Sequence, residues 1–452
     1  MATKKQTSKG KTILISIIAL VIGILVGYVF ANFYNPNNLE FYLNGKTSVN
    51  VGIGSTYTEE GVVCNFKGTD YSDDVEITYY NDDKTICDKI ITDSLDTYYV
   101  EYKIDTGKIT STLVRVVNIV EMEDLEINFM MLGNKYAGDS IYIKAGDIDI
   151  LVDAGSRKSS ASTLREYMTD SESNLHSYVS DNKLEYVIAT HADRDHIAAF
   201  VGNKNKDGSR DGILSTFEID TIIEFPKTEG SDLYDEYREI VDNLEKEGTK
   251  VYTALECYNN ENGARRLIEL AAGIELEILY NYYYEHETSN ENNNSVCFML
   301  RRGEEQFLFT GDLENEGKAE EYLVENNKLG EVYLYKLGHH GSKTSSSEAL
   351  LSEIKPQVAV VTCAAFVKEY NVSSTDNLFP TKAAIDNLVD IGTVKHLYVP
   401  VMVSDNDAGY EPANGNIVVY SNANGTGVRC SHSNEDFYNF DIFKQFRSWT
   451  VK

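Results

Sequence analysis

The segment THADRDH, residues 190–196, contains residue types that bind divalent metal ions. It brings together two histidines and two aspartates, His191, Asp193, Asp195 and His196. Neutral imidazole and carboxylate are both ligands for zinc or manganese. A solvated turn would account for a single His-Asp pair, but four potential ligands within six residues favour a metal site.

Two further clusters of the same kind follow, each at the end of an apolar run. FLFTGD ends with Asp312, and YLYKLGHHGS contains His339 and His340. The first cluster also follows such a run, LEYVIAT, and precedes IAAF, where a helix is predicted to begin. Because open α/β sheets place ligands at the carboxyl ends of their strands, we expect the three clusters to meet.

The composition limits the classes of partner. A chain of 452 residues with 42% hydrophobic residues is long enough for two or three domains. Its formal net charge is -30, and the amino-terminal segment is basic, so the remainder is more acidic still. Such a surface repels a phosphate backbone, which argues against broad, tight binding of duplex nucleic acid. A metal centre could still attract phosphate locally.

The amino terminus predicts a membrane anchor. Residues 1–11 carry four lysines, and the uncharged run 12–33 is long enough to cross a bilayer. The lysines place residues 1–11 in the cytoplasm and everything after Tyr34 outside. A cleaved secretion signal is the alternative, with Val29-Phe30-Ala31 as the cleavage site, but the run exceeds the usual apolar core of about 7 to 15 residues.

Residues 39–122 predict a small β-sandwich. The runs EFYLNG, SVNVGIG, DVEITYY, TYYVEYKI and STLVRVVNIV are rich in β-branched and aromatic residues and are separated by turn residues. The layout, opening with LNGKTSVNVGIGSTYTEEGVV, resembles bacterial Ig-like surface modules. This segment could bind carbohydrate, but a spacer between the membrane and the rest of the chain is the simpler interpretation.

Residues 124–429 predict a mixed α/β domain. Apolar strand-like runs alternate with helix-like segments such as SASTLREYMTD, DLYDEYREIVDNLEKEG, SEALLSEI and TKAAIDNLVD. The tyrosine-rich LEILYNYYY is read as a strand, and its tyrosines could stack on a substrate. The aromatic tail 430–452 gives no clear indication of structure. The sequence gives no indication of oligomeric state either.

The six cysteines do not form a disulfide scaffold. Cys64 and Cys87 lie in one small segment and could pair outside the cell. Cys257, Cys297 and Cys363 lie in apolar runs and are predicted to be buried thiols. Because no CxxC occurs, cysteine-based zinc binding is not expected.

Five segments together resemble the metallo-β-lactamase superfamily. In order they are DILVDAGS, THADRDHIAAF, NNNSVCFML, FLFTGDLE and LGHHGSKTSSSEALL. More narrowly, they are similar to the hydrolase domain of ComEC-type competence proteins and to choline-phosphate esterases of the bacterial surface. The resemblance covers about three hundred residues, and it implies an αββα sandwich with a site for two divalent metal ions, zinc or manganese.

The resemblance also implies individual roles. It assigns His191 and Asp193 to one metal, and Asp312 as the bridge. It assigns Asp195, His196 and His340 to the other metal, and Asp153 as a residue that orients a ligand histidine. The superfamily more often has histidine in place of Asp193 and a further histidine before the bridge, where this chain has only the unmatched His286. One metal is therefore expected to be weakly held.

The implied chemistry is hydrolysis by a metal-activated water. His339 is expected to bind a phosphoryl oxygen or protonate a leaving group, and Asp195 to act in catalysis as well as in metal binding. The spacing of Ser345 and Glu348 predicts a capping box, so that free amides of a helix amino terminus favour an anion. Further substrate contacts are expected from Lys343, Thr344 and Ser345, although capping alone is the simpler role for each serine.

Three functions remain open at this point. The first is a membrane-anchored, extracytoplasmic phosphodiesterase that acts on an envelope polymer, a lipid head group or DNA. The second is hydrolysis of amides, lactones or β-lactams by the same metals. The third is a surface adhesin with a degenerate metal site. The GHHGS loop favours phosphate as the substrate group.

Overall fold

The computed structural model describes residues 39–105, 107, 109–228, 230–368, 374–404 and 409–450. The predicted anchor, residues 12–33, lies outside this part of the chain. Within it, no helix combines the length and the apolar character needed to span a bilayer. The chain divides into two compact units between Ile119 and Val120.

The first unit is built from β-strands. The five predicted runs are all strands. In chain order the strands are β1 Leu39–Leu43, β2 Ser48–Gly52, β3 Val62–Phe66, β4 Thr69–Asp70, β5 Glu76–Tyr80, β6 Ile86–Cys87, β7 Asp96–Asp105 and β8 Thr110–Val120. They form a three-stranded sheet, β1-β3-β4, and a five-stranded sheet, β2-β8-β7-β5-β6. Alternate residues of β7 are buried, as expected for a strand with one face on a core.

The second unit is mixed α/β, as predicted. Its strands are β9 Leu125–Phe129, β10 Ile141–Ala145, β11 Ile148–Val152, β12 Lys183–Ala189, β13 Glu218–Glu224, β14 Lys250–Thr253, β15 Leu267–Ala271, β16 Ile274–Ile278, β17 Phe298–Arg302, β18 Glu305–Phe309, β19 Leu334–Lys336, β20 Val358–Val360, β21 Ala364–Ala365, β22 His396–Tyr398, β23 Val401–Val403, β24 Tyr410–Pro412, β25 Ile417–Asn422 and β26 Gly425–Cys430. Its helices are α1 Ser160–Met168, α2 Arg194–Val201, α3 Asp232–Glu247, α4 Ala254–Asn259, α5 Ala319–Asn326, α6 Glu348–Ile354, α7 Lys382–Ile391 and α8 Asp441–Phe446.

Two large sheets organise this unit. One has eight strands in the order β14-β13-β12-β11-β10-β9-β25-β26, and the other has seven, β15-β16-β17-β18-β19-β20-β22. Each sheet contains a parallel region: β11 pairs in parallel with β12, and β18 with β19. The carboxyl ends of parallel neighbours lie at the same edge of a sheet, and this places the candidate ligands.

The two large sheets pack against each other through aromatic side chains. The ring of Phe129 in β9 stacks on Phe309 in β18 at 6.4 Å, and Phe309 stacks on Phe298 in β17 at 4.6 Å. In β18 the residue before Phe309, Leu308, faces a second core, which includes residues of helices α5, α6 and α7. The period of two in the strand thus divides its apolar residues between two cores.

The structure differs from the sequence analysis at two places and decides a third point that the sequence left open. Residues 430–450 belong to the second unit rather than forming a separate tail, because Phe437 and Phe443 are fully buried in its core. The strand predicted through the tyrosines ends at Ile278, and Tyr282–Tyr284 form a 3-10 turn that the side chain of Asn281 caps. The point left open is the pairing of Cys64 and Cys87, which are free thiols in different apolar clusters.

Candidate metal centre

The candidate ligands stand where strands of the two large sheets end. Asp153 directly follows β11, and His191 comes two residues after β12. Asp312 and the pair His339 and His340 follow β18 and β19 in the other sheet. Because these strand ends lie at one edge of the packed sheets, four distant segments of the chain reach a common centre.

Four side chains form a group that could hold one metal ion. One ligand atom from each of Asp195, His196, Asp312 and His340 lies within 4.8 Å of the other three. Asp312 Oδ2 is 3.1 Å from Nε2 of His196 and 2.9 Å from Nε2 of His340. Two nitrogens and two carboxylates suit zinc or manganese.

Each of the two ligand histidines makes a hydrogen bond through Nδ1, on the side of the ring away from the centre. Nδ1 of His196 lies 2.7 Å from a carboxylate oxygen of Asp153, and Nδ1 of His340 lies 2.9 Å from the carbonyl oxygen of Thr362. Asp153 also accepts hydrogen bonds from the amide and the hydroxyl of Thr190. With Nδ1 donating to these acceptors, Nε2 of each ring is left with a lone pair toward the centre. Asp153 thus lies behind His196, and its orienting role stays a prediction.

Lys336 and Asp139 are parts of the centre that the sequence analysis missed. The ammonium of Lys336 is buried and contacts Asp139 at 2.6 Å, Asp312 at 3.0 Å and the carbonyl oxygen of Gly311 at 2.8 Å. Burial disfavours the charged form, but the two carboxylates outweigh it and raise the pKa of Lys336. The available signal was a lysine inside the apolar run YLYKLG, immediately before the histidine pair.

His191 and Asp193 are not part of the four-residue group. The ring of His191 is buried and its centroid lies 4.0 Å from that of His196. Its Nε2 has no hydrogen-bond partner and lies 3.7 Å from a carboxylate oxygen of Asp193. Asp193 itself is half exposed. The two residues are neighbours of the centre, and the second metal assigned to them stays a prediction.

Close backbone packing fixes the helix that carries two of the ligands. α2 begins at Arg194, so Asp195 and His196 lie in its first turn. The amide of Ala154 donates to the carbonyl oxygen of His196 at 2.7 Å. A Cβ on Gly155 would lie 1.6 Å from the carbonyl oxygen of Asp195, so only glycine fits there.

His339 is held by a carboxylate that the sequence analysis did not single out. Its Nδ1 lies 2.6 Å from Oε1 of Glu314, and its side chain is 23% exposed. The same carboxylate accepts from Thr344 at 2.7 Å, from Asn290 at 2.7 Å and from Asn292 at 3.3 Å. Burial raises the pKa of Glu314, but the hydrogen bonds from His339 and Thr344 outweigh it and lower the pKa to about 2.

The serine loop differs from the predicted capping box. Ser347, rather than Ser345, caps α6, with its hydroxyl accepting from the amide of Leu350. The amides of Ser346 and Ser347 are not free for an anion, because they donate to the buried carboxylate of Glu320 at 2.6 and 2.7 Å. Glu320, on α5, occupies the position that an external anion was expected to take.

The three predicted substrate contacts on this loop also have partners within the protein. Lys343 donates to Asn377 at 3.1 Å, and the buried hydroxyl of Ser345 donates to the carbonyl oxygen of Gly338 at 2.8 Å. Thr344 donates to Glu314. Of the three, the lysine alone is an exposed charge that could reach a substrate without losing a buried bond.

An observation independent of the ligand pattern also supports a metal ion at this centre. Nε2 of His340 is buried and faces carboxylate oxygens of Asp312 at 2.9 Å and Asp195 at 3.4 Å without a well-directed hydrogen bond to either, and the buried Nε2 of His191 has no hydrogen-bond partner. A buried polar nitrogen without a partner is costly in a folded protein unless something binds it. Asp195, at 32% side-chain exposure, leaves the centre open to solvent on one side.

Comparisons with known proteins give partial matches. No protein-family model matches the chain. Recombination protein 2 of Haemophilus influenzae is 34% identical over 110 residues, which cover 24% of this chain and 14% of that protein. ComE operon protein 3 of Bacillus subtilis is 26% identical over 182 residues, covering 40% of this chain and 20% of that protein. The chain is therefore similar to a small part of each of these two proteins.

The similarity to solved structures is weak. A lipoprotein from Bacteroides thetaiotaomicron gives a TM-score of 0.16 at 16% identity, covering 25% of this chain and 55% of that one. A protein of unknown function from Enterococcus faecalis V583 gives a TM-score of 0.26 at 14% identity, covering 47% of this chain and 49% of that one. Both TM-scores are too low to support a conclusion about fold.

Proposed function

We propose that the second unit is a metallo-β-lactamase-type αββα sandwich and a metal-dependent phosphodiesterase. One observation carries the proposal. Asp195, His196, Asp312 and His340 come from three distant segments, yet one ligand atom of each lies within 4.8 Å of the others. The two packed sheets support the same assignment, and the match to part of ComE operon protein 3 agrees with the resemblance to competence proteins.

The role of each residue in metal binding follows from the ligand atoms that it offers. His196 and His340 would hold a divalent ion through Nε2, and Asp195 and Asp312 through carboxylate oxygens. A bound ion of this kind lowers the pKa of a water and neutralises charge on the reacting oxygens. The protein itself supplies fixed ring orientation through Asp153, and one solvent-facing side where a substrate can approach.

Zinc and manganese are both consistent with two imidazoles and two carboxylates. A second ion, bound by His191 and Asp193, is part of the proposal, with the weaker ligand set. His191 supports it, because its buried Nε2 has no partner within the described residues.

A phosphate ester is favoured over an amide or a lactone because of His339. Its imidazole lies next to the ligand His340 in sequence and is partly exposed beside the centre. Such a group can donate to a phosphoryl oxygen or to a leaving oxygen. The net charge of -30 argues against a broad duplex-binding surface, so an envelope polymer or a lipid head group is preferred to DNA. The membrane anchor and extracytoplasmic location remain predictions on residues outside the described part.

The test is a substrate comparison on metal-loaded protein. Purified protein with zinc or manganese should hydrolyse bis(p-nitrophenyl) phosphate, and His196→Ala should abolish this while His396→Ala should not. His396 is a half-exposed histidine of the same unit that pairs with Asp436. Turnover of nitrocefin without turnover of the phosphodiester would refute the proposal in favour of amide hydrolysis. Absence of bound metal and of both activities would indicate the adhesin.

A further inference from the structure

Two positively charged side chains without ion-pair partners lie beside the ring of Tyr136. The guanidinium carbon of Arg157 is 3.8 Å from the centroid of that ring, and the ammonium nitrogen of Lys135 is 5.9 Å from it. In the part of the chain that the structure describes, neither has a carboxylate partner. In a chain with a net charge of -30, two neighbouring cations without a counter-charge indicate a place for an anion.

Backbone contacts place these cations on the open side of the metal centre. A Cβ on Gly138 would lie 2.7 Å from the carbonyl oxygen of Asp195 and 2.9 Å from Cβ of Ser156. Asp195 is the candidate ligand whose side chain is partly exposed. Tyr136 lies two residues before Gly138. Arg157 directly follows Ser156, so the stacked pair begins within about 7 Å of chain from the contact with Asp195.

The side chain of Asn134 joins the two segments that carry the stacked pair. Its oxygen accepts from the hydroxyl of Ser156 at 2.9 Å and from the amide of Tyr136 at 3.0 Å. Its nitrogen donates to the hydroxyl of Ser160, at the start of α1, at 3.0 Å. These bonds hold the ring and the guanidinium of Arg157 in place before a ligand binds, which lowers the entropic cost of binding.

The stacked guanidinium keeps hydrogen-bond donors for a ligand. Arg157 lies over the face of the ring, so the N–H groups at its edge are directed away from the ring. Within the described residues no acceptor takes them. Such N–H groups bind a phosphate or a carboxylate through paired hydrogen bonds. A cationic group such as choline would instead meet two like charges here.

We propose that Arg157, Tyr136 and Lys135 form a subsite for an anionic group, a phosphate or a carboxylate, which the substrate carries next to the ester cleaved at the metal centre. This inference rests on the proposed phosphodiesterase function and narrows its substrate to a polyanion. An envelope polymer with a charged group in each repeat unit has this chemistry. A lipid head group with a positive charge does not.

The first test compares p-nitrophenyl phosphodiesters on metal-loaded full-length protein. One carries glycerol, the second carries glycerol with a further phosphate on its third carbon, and the third carries choline. The second should have a kcat/KM about 10-fold above that of the first, because it adds a charge-assisted contact to Arg157, and the choline ester should be the poorest. A fourth diester, with a carboxylate in place of the added phosphate, shows which of the two anions is preferred.

Variants of Arg157 test the subsite directly. In Arg157→Gln the ratio of kcat/KM between the second and the first diester should fall about 10-fold. This ratio does not depend on how much of the variant is folded or loaded with metal. Arg157→Lys should recover part of it, because it keeps the charge but loses the planar donor pair. Arg165→Gln removes the same charge from the last turn of α1 and should keep the ratio.

The second test measures binding of inorganic phosphate to metal-free protein in EDTA by isothermal titration calorimetry. Arg157→Gln should weaken binding about 10-fold, and Arg165→Gln should not. Equal phosphate binding by Arg157→Gln and the unaltered protein, equal losses of Arg157→Gln on both glycerol diesters, or a preference for the choline ester would overturn the inference. If no diester is hydrolysed but phosphate binding still depends on Arg157, the proposed phosphodiesterase function fails while the anion subsite stands.

Discussion

The ammonium nitrogen of Lys336 lies 3.0 Å from Oδ1 of Asp312, so a fixed positive charge stands directly behind a candidate metal ligand. The other carboxylate oxygen of Asp312 faces the two ligand histidines. Lys336 therefore sets which oxygen of Asp312 is presented to a metal. It also offsets part of the negative charge that Asp139 and Asp312 bring into a buried space.

Replacing Lys336 should destabilise the protein strongly when no metal is present. In Lys336→Met two buried carboxylates lose the ammonium that they share, and breaking a buried ion pair costs about 3 to 5 kcal/mol. A bound divalent ion should restore part of this, because it supplies positive charge at Asp312. Urea unfolding in EDTA and in zinc measures both effects.

Lys355→Met provides the comparison for that experiment. Lys355 pairs with Glu331 on the surface at 2.9 Å, where both side chains are largely exposed. Such a pair contributes about 0 to 1 kcal/mol. If Lys336→Met unfolds at the same urea concentration as Lys355→Met, the ammonium does not hold the centre together.

Asp153→Asn should weaken metal binding without removing a ligand. The amide nitrogen that replaces one carboxylate oxygen cannot accept from Nδ1 of His196, so the ring loses the bond that directs Nε2 at the centre. Loss of such an outer hydrogen bond lowers metal affinity about 10- to 100-fold. Competition with a coloured chelator gives the affinity. An unaltered affinity, equal to that of the exposed-site variant Asp235→Asn, would exclude the orienting role.

Glu320 should make stability depend on pH. Burial raises the pKa of its carboxyl to about 7, although hydrogen bonds from Ser347 and Ser346 oppose the shift. The folded state then keeps a proton that the unfolded state releases near its ordinary pKa of about 4.5. The free energy of unfolding is therefore predicted to fall by roughly 3 kcal/mol as the pH rises from about 4.5 to about 7.

The measurement is urea unfolding at a series of pH values for the unaltered protein and for Glu320→Gln. The difference in unfolding free energy between the two should change across that interval and be constant above it. Glu321→Gln, at the neighbouring, partly exposed position that pairs with Lys318, should follow the unaltered protein. Parallel curves for Glu320→Gln and the unaltered protein would contradict the raised pKa.

Gly155→Ala should prevent the centre from forming. The new methyl group would meet the carbonyl oxygen of Asp195 at 1.6 Å, and this is backbone that cannot turn away. The first turn of α2 would have to shift, with Asp195 and His196 on it. Metal content after purification should fall to background. Gly409→Ala, where the nearest atom among the described residues is the side-chain oxygen of Ser404 at 3.8 Å, should retain metal.

Much of the second unit could be predicted from local patterns. The apolar spacing of DLYDEYREIVDNLEKE gives α3, and the apolar runs before Asp312 and His340 give β18 and β19. Side-chain periodicity is a property of a few consecutive residues, so it is readable without the fold. The strand predicted through the tyrosines at 282–284 was wrong, because their β-propensity was outweighed by the capping side chain of Asn281.

The sequence by itself determined which side chains have the chemistry to bind a metal and that each follows a strand. It also determined the acidic charge of the chain. Only the tertiary structure decided which of these ligands meet, that Lys336 and Asp139 join them, and that Glu320 takes the amides expected to bind an anion. The reason is physical: ligand type and strand end are local properties, whereas a distance between residues over a hundred positions apart depends on how two sheets pack.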